Sequence, residues 1–262
     1  MIRAGLAGAA VLLASVSGIR LQASDPDEAA TRARPSQTYE DLNAPYDGLY
    51  HFVRVRYGGG EGARGFRRRA RAQWSHDYPR AERNFLQIIT ETTFVSALTE
   101  GSNVLALDDP ELFKFPLAYI VEPGFWHPTD EEVHALGQYL EKGGFLIVDD
   151  FRGPYELDNL EQQLRRVLPD ANMVLVDDTN AIFDSFFRVV PERVIPPYGG
   201  QPPIWYGIYE DNDPSRRLQV IINHNNDIAE YWEYSDYGYY PIDLANEAYK
   251  LGVNYVVYAL TH

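Results

Sequence analysis

The 262-residue chain has no cysteine. That absence excludes disulfides, thiolate metal ligands and cysteine nucleophiles together, and it leaves stability to packing alone. Basic residues are in deficit: 23 Lys and Arg against 38 Asp and Glu give a formal charge of -15. Such a field repels phosphodiester backbones and anionic lipid, so nucleic acid is excluded as a partner. No apolar stretch after Ser24 approaches the length of a membrane span, so no transmembrane helix is expected beyond the N-terminus. The sequence also lacks a Gly-x-Ser-x-Gly elbow, a zincin helix and a P-loop lysine, which removes the common hydrolase and nucleotide signatures.

The N-terminus reads as a secretory signal over residues 1–23. Arg3 supplies the positive region, Ala4 to Ile19 the apolar run, and Leu21-Gln22-Ala23 a cleavage site before Ser24. Removing Arg3 and Arg20 with it takes the formal charge from -15 to -17. An exported, periplasmic protein is expected, with an uncleaved N-terminal anchor as the alternative because Arg20 stands close behind the apolar run. Residues 24–48 mix Asp, Glu, Ala, Pro and Ser without periodicity and read as a flexible leader.

A single α/β domain is expected over 49–262. Phe52 to Tyr57 alternates as a half-buried strand does, and Phe85, Ile88, Ile89 and Thr92 mark one face of a helix from Arg80. Asn103 to Leu107 and Leu117 to Val121 read as strands. Thr129 and Glu132 form a capping box for a helix striped by Val133, Leu136 and Leu140, which Gly143 and Gly144 stop. Phe145 to Val148 is apolar at every residue, as a parallel strand covered on both faces should be, and ends in Asp149-Asp150. A helix through Leu157, Leu160, Leu164 and Val167 leads to a strand at Met173 to Val176. This alternation predicts a doubly wound, mostly parallel sheet in a flavodoxin-like three-layer sandwich. Beyond Asp184 the prolines and glycines from Pro196 to Pro203 predict a loop, with regular structure returning at Leu218 to Ile222 and a last helix from about Leu244.

Chemistry concentrates in four places. Gly60-x-Gly62-x-x-Gly65 matches a dinucleotide fingerprint in form, but Arg64, Arg67, Arg68, Arg69 and Arg71 surround and follow it where a helical apolar stripe belongs. The segment therefore reads as a basic surface loop, with anion capture as its functional alternative, and no cofactor is expected. Asp149 and Asp150 stand where ligands of open α/β sheets bind, beyond the carboxyl ends of the strands, with Trp126 following the neighbouring strand. They are candidates for a general base, a metal ligand or a hydroxyl acceptor, against the plainer reading that an Asp ending a strand caps the next turn. Asn223-His224-Asn225-Asn226-Asp227 follows another apolar strand and offers oxygen and nitrogen ligands, so a hard cation held by Asp227, Asn side chains and the distant Asp149 or Asp150 is chemically feasible. Tyr231, Trp232, Tyr234, Tyr237, Tyr239 and Tyr240 suit either a stacking surface for a sugar or a partner, or a cover over the core.

The sequence resembles the bacterial domain of unknown function 4159 family. The resemblance rests on Asp109-Pro110-Glu111-Leu112-Phe113, Pro116-Leu117-Ala118-Tyr119-Ile120, Gly143 to Asp150, Asn225-Asn226-Asp227 with Tyr231-Trp232-Glu233, Gly252-Val253-Asn254-Tyr255 and Tyr258 to His262. It implies a fold like that of class I glutamine amidotransferases over roughly residues 50–262. In that fold a cysteine occupies the turn after a central strand, where this chain has Asp149-Asp150, so thiol-dependent glutamine hydrolysis is excluded. The resemblance also implies an imidazole near Ala181-Ile182-Phe183, where this chain has Asn180.

The leading expectation is a non-catalytic module of the cell envelope that binds a glycan-like ligand or an envelope protein. Its site would comprise Trp126, Asp149, Asp150, Asn225 and Asp227, rimmed by Tyr231 and Trp232. The alternative is a carboxylate- or metal-dependent hydrolase using Asp149 or Asp150 with His224 or Asp227.

Overall fold

A computed structural model of the chain describes residues 43–58 and 73–262. The expected signal peptide, the leader up to residue 42 and the Gly60–Gly65 loop with its arginines lie outside the described residues. Seven strands form one sheet: β1 (Val53–Val55), β2 (Asn103–Leu105), β3 (Leu117–Val121), β4 (Phe145–Phe151), β5 (Val174–Leu175), β6 (Ile204–Tyr209) and β7 (Leu218–His224). Their order is β2-β1-β3-β4-β7-β6-β5. From β2 to β7 every pairing is parallel, while β6 and β5 continue the sheet antiparallel.

Five α-helices cover the described sheet: α1 (Arg80–Thr92), α2 (Asp130–Glu141), α3 (Gly153–Val167), α4 (Ile228–Glu233) and α5 (Ile242–Thr261). Strand periodicity sorts them into layers. Phe145 and Ile147 of β4 face a core shared with α1, α4 and α5. Leu146 and Val148 face the core under α2 and α3. The fold is thus a three-layer α/β sandwich whose parallel part has the flavodoxin-like strand order. Chain direction across that sheet reverses between β1 and β3, the switch point where such folds hold ligands beyond the carboxyl edge.

Local chemistry explains the clearest elements. Thr129 Oγ1 accepts from the Glu132 amide at 3.2 Å while Glu132 Oε2 accepts from the Thr129 amide at 2.8 Å, so the expected capping box starts α2. β4 is buried along its whole length, as a parallel strand covered on both faces should be. Among the described residues no helix is long and apolar enough to cross a membrane.

Four expectations are corrected. β1 is not half-buried: Arg54, the polar residue in its alternation, is fully enclosed because its guanidinium is paired with Glu82 of α1 at 2.5 Å. Residues 204–209, expected as the end of a loop, form β6 between β5 and β7. The Ile-Trp-Tyr-Gly-Ile-Tyr run begins directly after Pro203, so the proline cluster masks a strand whose aromatic and β-branched content is high. The strand near Met173 shortens to Val174–Leu175 at the sheet edge and pairs antiparallel, so β7 rather than β5 is the neighbour of β4. Finally, Asn43 and Ala44 already belong to the packed structure: Asn43 Nδ2 donates to the Val104 carbonyl and Asn103 Nδ2 to that of Ala44, which covers the exposed edge of β2.

The α1, α4 and α5 layer packs around Gly252. A β-carbon there would lie 2.5 Å from Trp232 and 2.6 Å from Phe85, whose rings stack at 4.4 Å between centroids. Gly252→Val should therefore cost about 1–3 kcal/mol through overpacking. Urea denaturation checks this, and an unchanged midpoint would show that the two rings yield without cost.

Candidate metal centre

β4 ends in a bulge. Its pairing with β7 runs through Val148 opposite Ile222 and resumes at Phe151 opposite His224, so Asp149 and Asp150 together oppose Asn223. The extra residue re-aims the strand end. Asp149 turns inward and is wholly buried, accepting from Tyr119 Oη at 2.7 Å, Asn223 Nδ2 at 3.0 Å and the Ile228 amide at 2.9 Å. Its oxygens are committed to β3, β7 and α4. Asp150 takes the left-handed conformation, φ 54°, and its Oδ2 accepts a 2.6 Å hydrogen bond from His76 Nδ1.

His76 and Asp77 lie in the turn before α1, and Arg54 holds that turn in place. Its Nε donates to Glu82 Oε1 at 2.6 Å and its Nη1 to the carbonyls of Trp74 and His76 at 3.4 and 3.1 Å. Asp77 is also left-handed, φ 61°. The residue is 1% exposed, yet among the described residues neither carboxylate oxygen has a hydrogen-bond partner; His76 Nδ1 stands 3.7 Å from Oδ1. Asp227 arrives from the other side as the N-cap of α4, with Oδ1 accepting from the Glu230 amide at 2.9 Å and Oδ2 from Tyr198 Oη at 3.1 Å.

These pieces converge. One ligand atom from each of His76, Asp77, Asp150 and Asp227 lies within 4.8 Å of all the others. A six-coordinate ion with bonds of about 2.1 Å keeps its ligand atoms within about 4.3 Å of one another. The group thus needs only a few tenths of an ångström of contraction to grip one. Three of its members are buried, while the His76 side chain, 40% exposed, opens the group to solvent.

Electrostatics agree with geometry. Burial pushes the carboxyls of Asp77 and Asp227 well above the ordinary carboxylate range, and the neighbouring Asp150 charge raises both further. Glu122 at the end of β3, itself left-handed at φ 51°, is pushed up to about 7 by burial and by Asp150. The hydrogen bond to Asp150 raises His76 to about 9. His76, protonated at neutral pH in consequence, supplies a positive charge within the acidic group. Backbone strain collects in the same place, since Asp77, Glu122 and Asp150 each hold a conformation that costs a side-chain-bearing residue about 1 kcal/mol or more.

Beside the group a pocket of about 320 Å³ is lined by Asp150, Arg152, Tyr198, Gly200, Asn226 and Asp227. Asn226 is 4% exposed, and among the described residues its buried amide nitrogen and oxygen have no partner. A larger hollow of about 660 Å³ opens at the opposite, amino edge of the sheet between Phe94 and Gly144 and is lined by no carboxylate or imidazole.

The family profile Domain of unknown function (DUF4159) matches residues 51–260. The chain belongs to that family. All four converging residues and the pocket lie inside the match. No curated protein matches the chain.

Within this DUF4159 domain, the residues expected from sequence separate into distinct roles. Asp150 and Asp227 meet at the site, and Asn225 lines the pocket while its Oδ1 accepts from the Gly153 amide at 3.0 Å to seat α3. Asp149 supports the site from behind. His224 stands apart: its Nε2 bonds the Gly153 carbonyl at 3.1 Å, its ring packs on Phe151, and burial lowers its pKa so that it stays neutral. Trp126 is enclosed in the core beneath α2 and α3. Tyr231 and Trp232 belong to α4 and face the opposite core, so neither rims a loop. His76 and Asp77 were not foreseen. Their one local signal is a His-Asp pair ahead of Pro79 and a helix, which gains meaning only when the fold brings it to the end of β4.

The two buried aspartates should respond oppositely to substitution. Asp149→Ala strands the Tyr119 hydroxyl, the Asn223 amide and the Ile228 N–H, and should lower stability by about 3 kcal/mol or more. Asp77→Asn removes a buried charge without a hydrogen-bond partner and should raise stability by about 1–2 kcal/mol when measured in EDTA. Thermal and urea unfolding of both variants decide the matter, and destabilisation of both by similar amounts would contradict the division of roles.

Proposed function

We propose that this DUF4159 domain is a divalent-metal-dependent hydrolase whose ion is held by His76, Asp77, Asp150 and Asp227 at the carboxyl edge of the sheet. The observation that carries this reading is Asp77, a buried carboxylate with two unpartnered oxygens aimed into a group containing an imidazole and two further carboxylates. Buried charges without partners are retained where something binds them. One nitrogen and three carboxylate ligands suit a first-row ion such as Mn²⁺ or Zn²⁺ better than Ca²⁺. Such an ion would displace the proton of His76, offset the acidic field and lower the pKa of a bound water towards neutrality. The adjoining pocket, lined by Asp150, Arg152, Tyr198 and Asp227, would then receive the substrate.

The burial of Trp126, Tyr231 and Trp232 argues against a sugar-stacking platform and favours the hydrolytic reading over the non-catalytic one. Relation to the glutamine amidotransferase-like fold is part of the same proposal, supported by the strand order and by the position of Asp149-Asp150 after the central strand. An envelope location is proposed on Arg3 and the apolar run behind it, with envelope glycans or peptides as the substrate class tested first.

Protein purified without chelator should retain at least one equivalent of a divalent ion by elemental analysis, and Asp150→Asn should retain less than a tenth of that. Metal-loaded protein should cleave at least one member of a panel of esters, amides, glycosides and phosphoesters in an EDTA-sensitive manner. Failure to bind Mn²⁺ or Zn²⁺ would overturn the metal site. Binding without turnover across the panel would instead return the domain to a non-catalytic binding role.

A further inference from the structure

We infer that the centre is dinuclear, with a second divalent cation held by Asp77, Glu230 and Glu233. The inference rests on the first ion proposed above and extends it. One ligand atom from each of Asp77, Glu230 and Glu233 lies within 4.8 Å of the others, so Asp77 is common to two adjacent groups. A buried carboxylate, 1% exposed, whose two oxygens have no hydrogen-bond partner among the described residues uses both by chelating one ion or by bridging two, and its place in both groups favours the bridge.

Helix geometry supplies the remaining ligands. Asp227, Glu230 and Glu233 follow one another at intervals of three residues, which sets them along one face of α4 and its cap. The first belongs to the His76 group and the other two to the second group. Glu230 is held by Tyr240, whose hydroxyl donates to Oε1 at 2.7 Å, and by Tyr198, which also hydrogen-bonds it. Charge points the same way. Asp77, Asp150, Asp227, Glu230 and Glu233 carry five negative charges when ionised. One divalent ion leaves three of them unbalanced in a largely buried volume, and two ions leave one. Arg54 is committed to Glu82 and Arg80 to Asp236, while Arg152 lines the pocket beside Asp150 and Asp227. The second group offers oxygen alone and the first offers nitrogen with oxygen, and Mn²⁺ suits both. Two ions about 3.5–4 Å apart across one carboxylate is the spacing of two-metal hydrolytic centres.

The test is a titration of the chelator-stripped, dialysed full-length chain with Mn²⁺ up to about 1 mM free ion, the weak end of protein sites. Calorimetry gives the stoichiometry and electron paramagnetic resonance reports spin coupling. Two equivalents are expected, with the six-line signal of isolated Mn²⁺ lost to a coupled spectrum as the second ion enters. Glu233→Gln, at a half-buried position, should remove one equivalent and restore the isolated signal while the first equivalent binds within about threefold of its original affinity, which also shows that the variant is folded. One equivalent in the unmodified chain, unaffected by Glu233→Gln, would overturn the second ion and leave the first standing. No binding at all would overturn the metal site as a whole.

Discussion

The site depends on where one carboxylate spends its hydrogen-bonding capacity. Asp149 accepts from Tyr119 on β3, Asn223 on β7 and the first amide of α4, so one side chain ties three elements to the end of β4. The tie continues outward, because Asn223 Oδ1 accepts from Tyr255 Oη, which in turn accepts from Trp205 Nε1. This network crosses the sheet from β3 to β6 through the buried face, and a satisfied buried network of this kind rigidifies what it spans. The bulge that turns Asp149 inward is the same irregularity that presents Asp150 outward. Burial raises Asp149 to about 6, against the opposing pull of its donors.

Arg54 performs the corresponding service on the other flank. A buried ion pair contributes little net stability, but breaking one leaves an uncompensated charge and is costly. The position of Arg54 explains its retention in an otherwise apolar strand, because its remaining donors grip the carbonyls that frame His76. Two buried polar clusters therefore aim three chain segments, 76–77, 150 and 227, at one point. The groups that meet there are strained, desolvated and mutually repulsive, whereas Asp149 behind them is fully hydrogen-bonded and Arg54 is ion-paired. Separation of this kind between a stabilising support and a destabilising working surface is common where function opposes stability.

Much of the fold is legible locally. The capping box at Thr129, the glycine stop before Phe145 and the fourfold apolar run of β4 carry their structure within a few residues, and all appear where their chemistry places them. β6 is obscured because a proline cluster and Gly207 flank or interrupt its pattern. The burial of Arg54 is invisible for a different reason: its partner Glu82 lies 28 positions away, and nothing in either residue announces the pairing. At the site, the carboxyl-edge rule picks out Asp150 and Asp227 from strand position alone. The same rule misses His76 and Asp77, which follow β1 only after an interval outside the described residues, and it cannot divide Asp149 from Asp150, since adjacent identical residues differ only in the direction a bulge gives them. Aromatic content misleads in the 231–240 segment because Tyr and Trp serve a core as readily as a binding surface.

The left-handed backbone at Asp77 and Asp150 also restricts how this site can change. Few residues tolerate that conformation, and the common ones besides Asp are Asn and Gly. Both replacements keep the turn and discard the charge. Mutational drift at these two positions therefore runs along a narrow track, from an acidic pocket to a neutral one on an unaltered scaffold. A descendant of this chain can lose the charge at this point in a single codon while keeping its shape, so shape alone says little about which members of the family keep the acidic group.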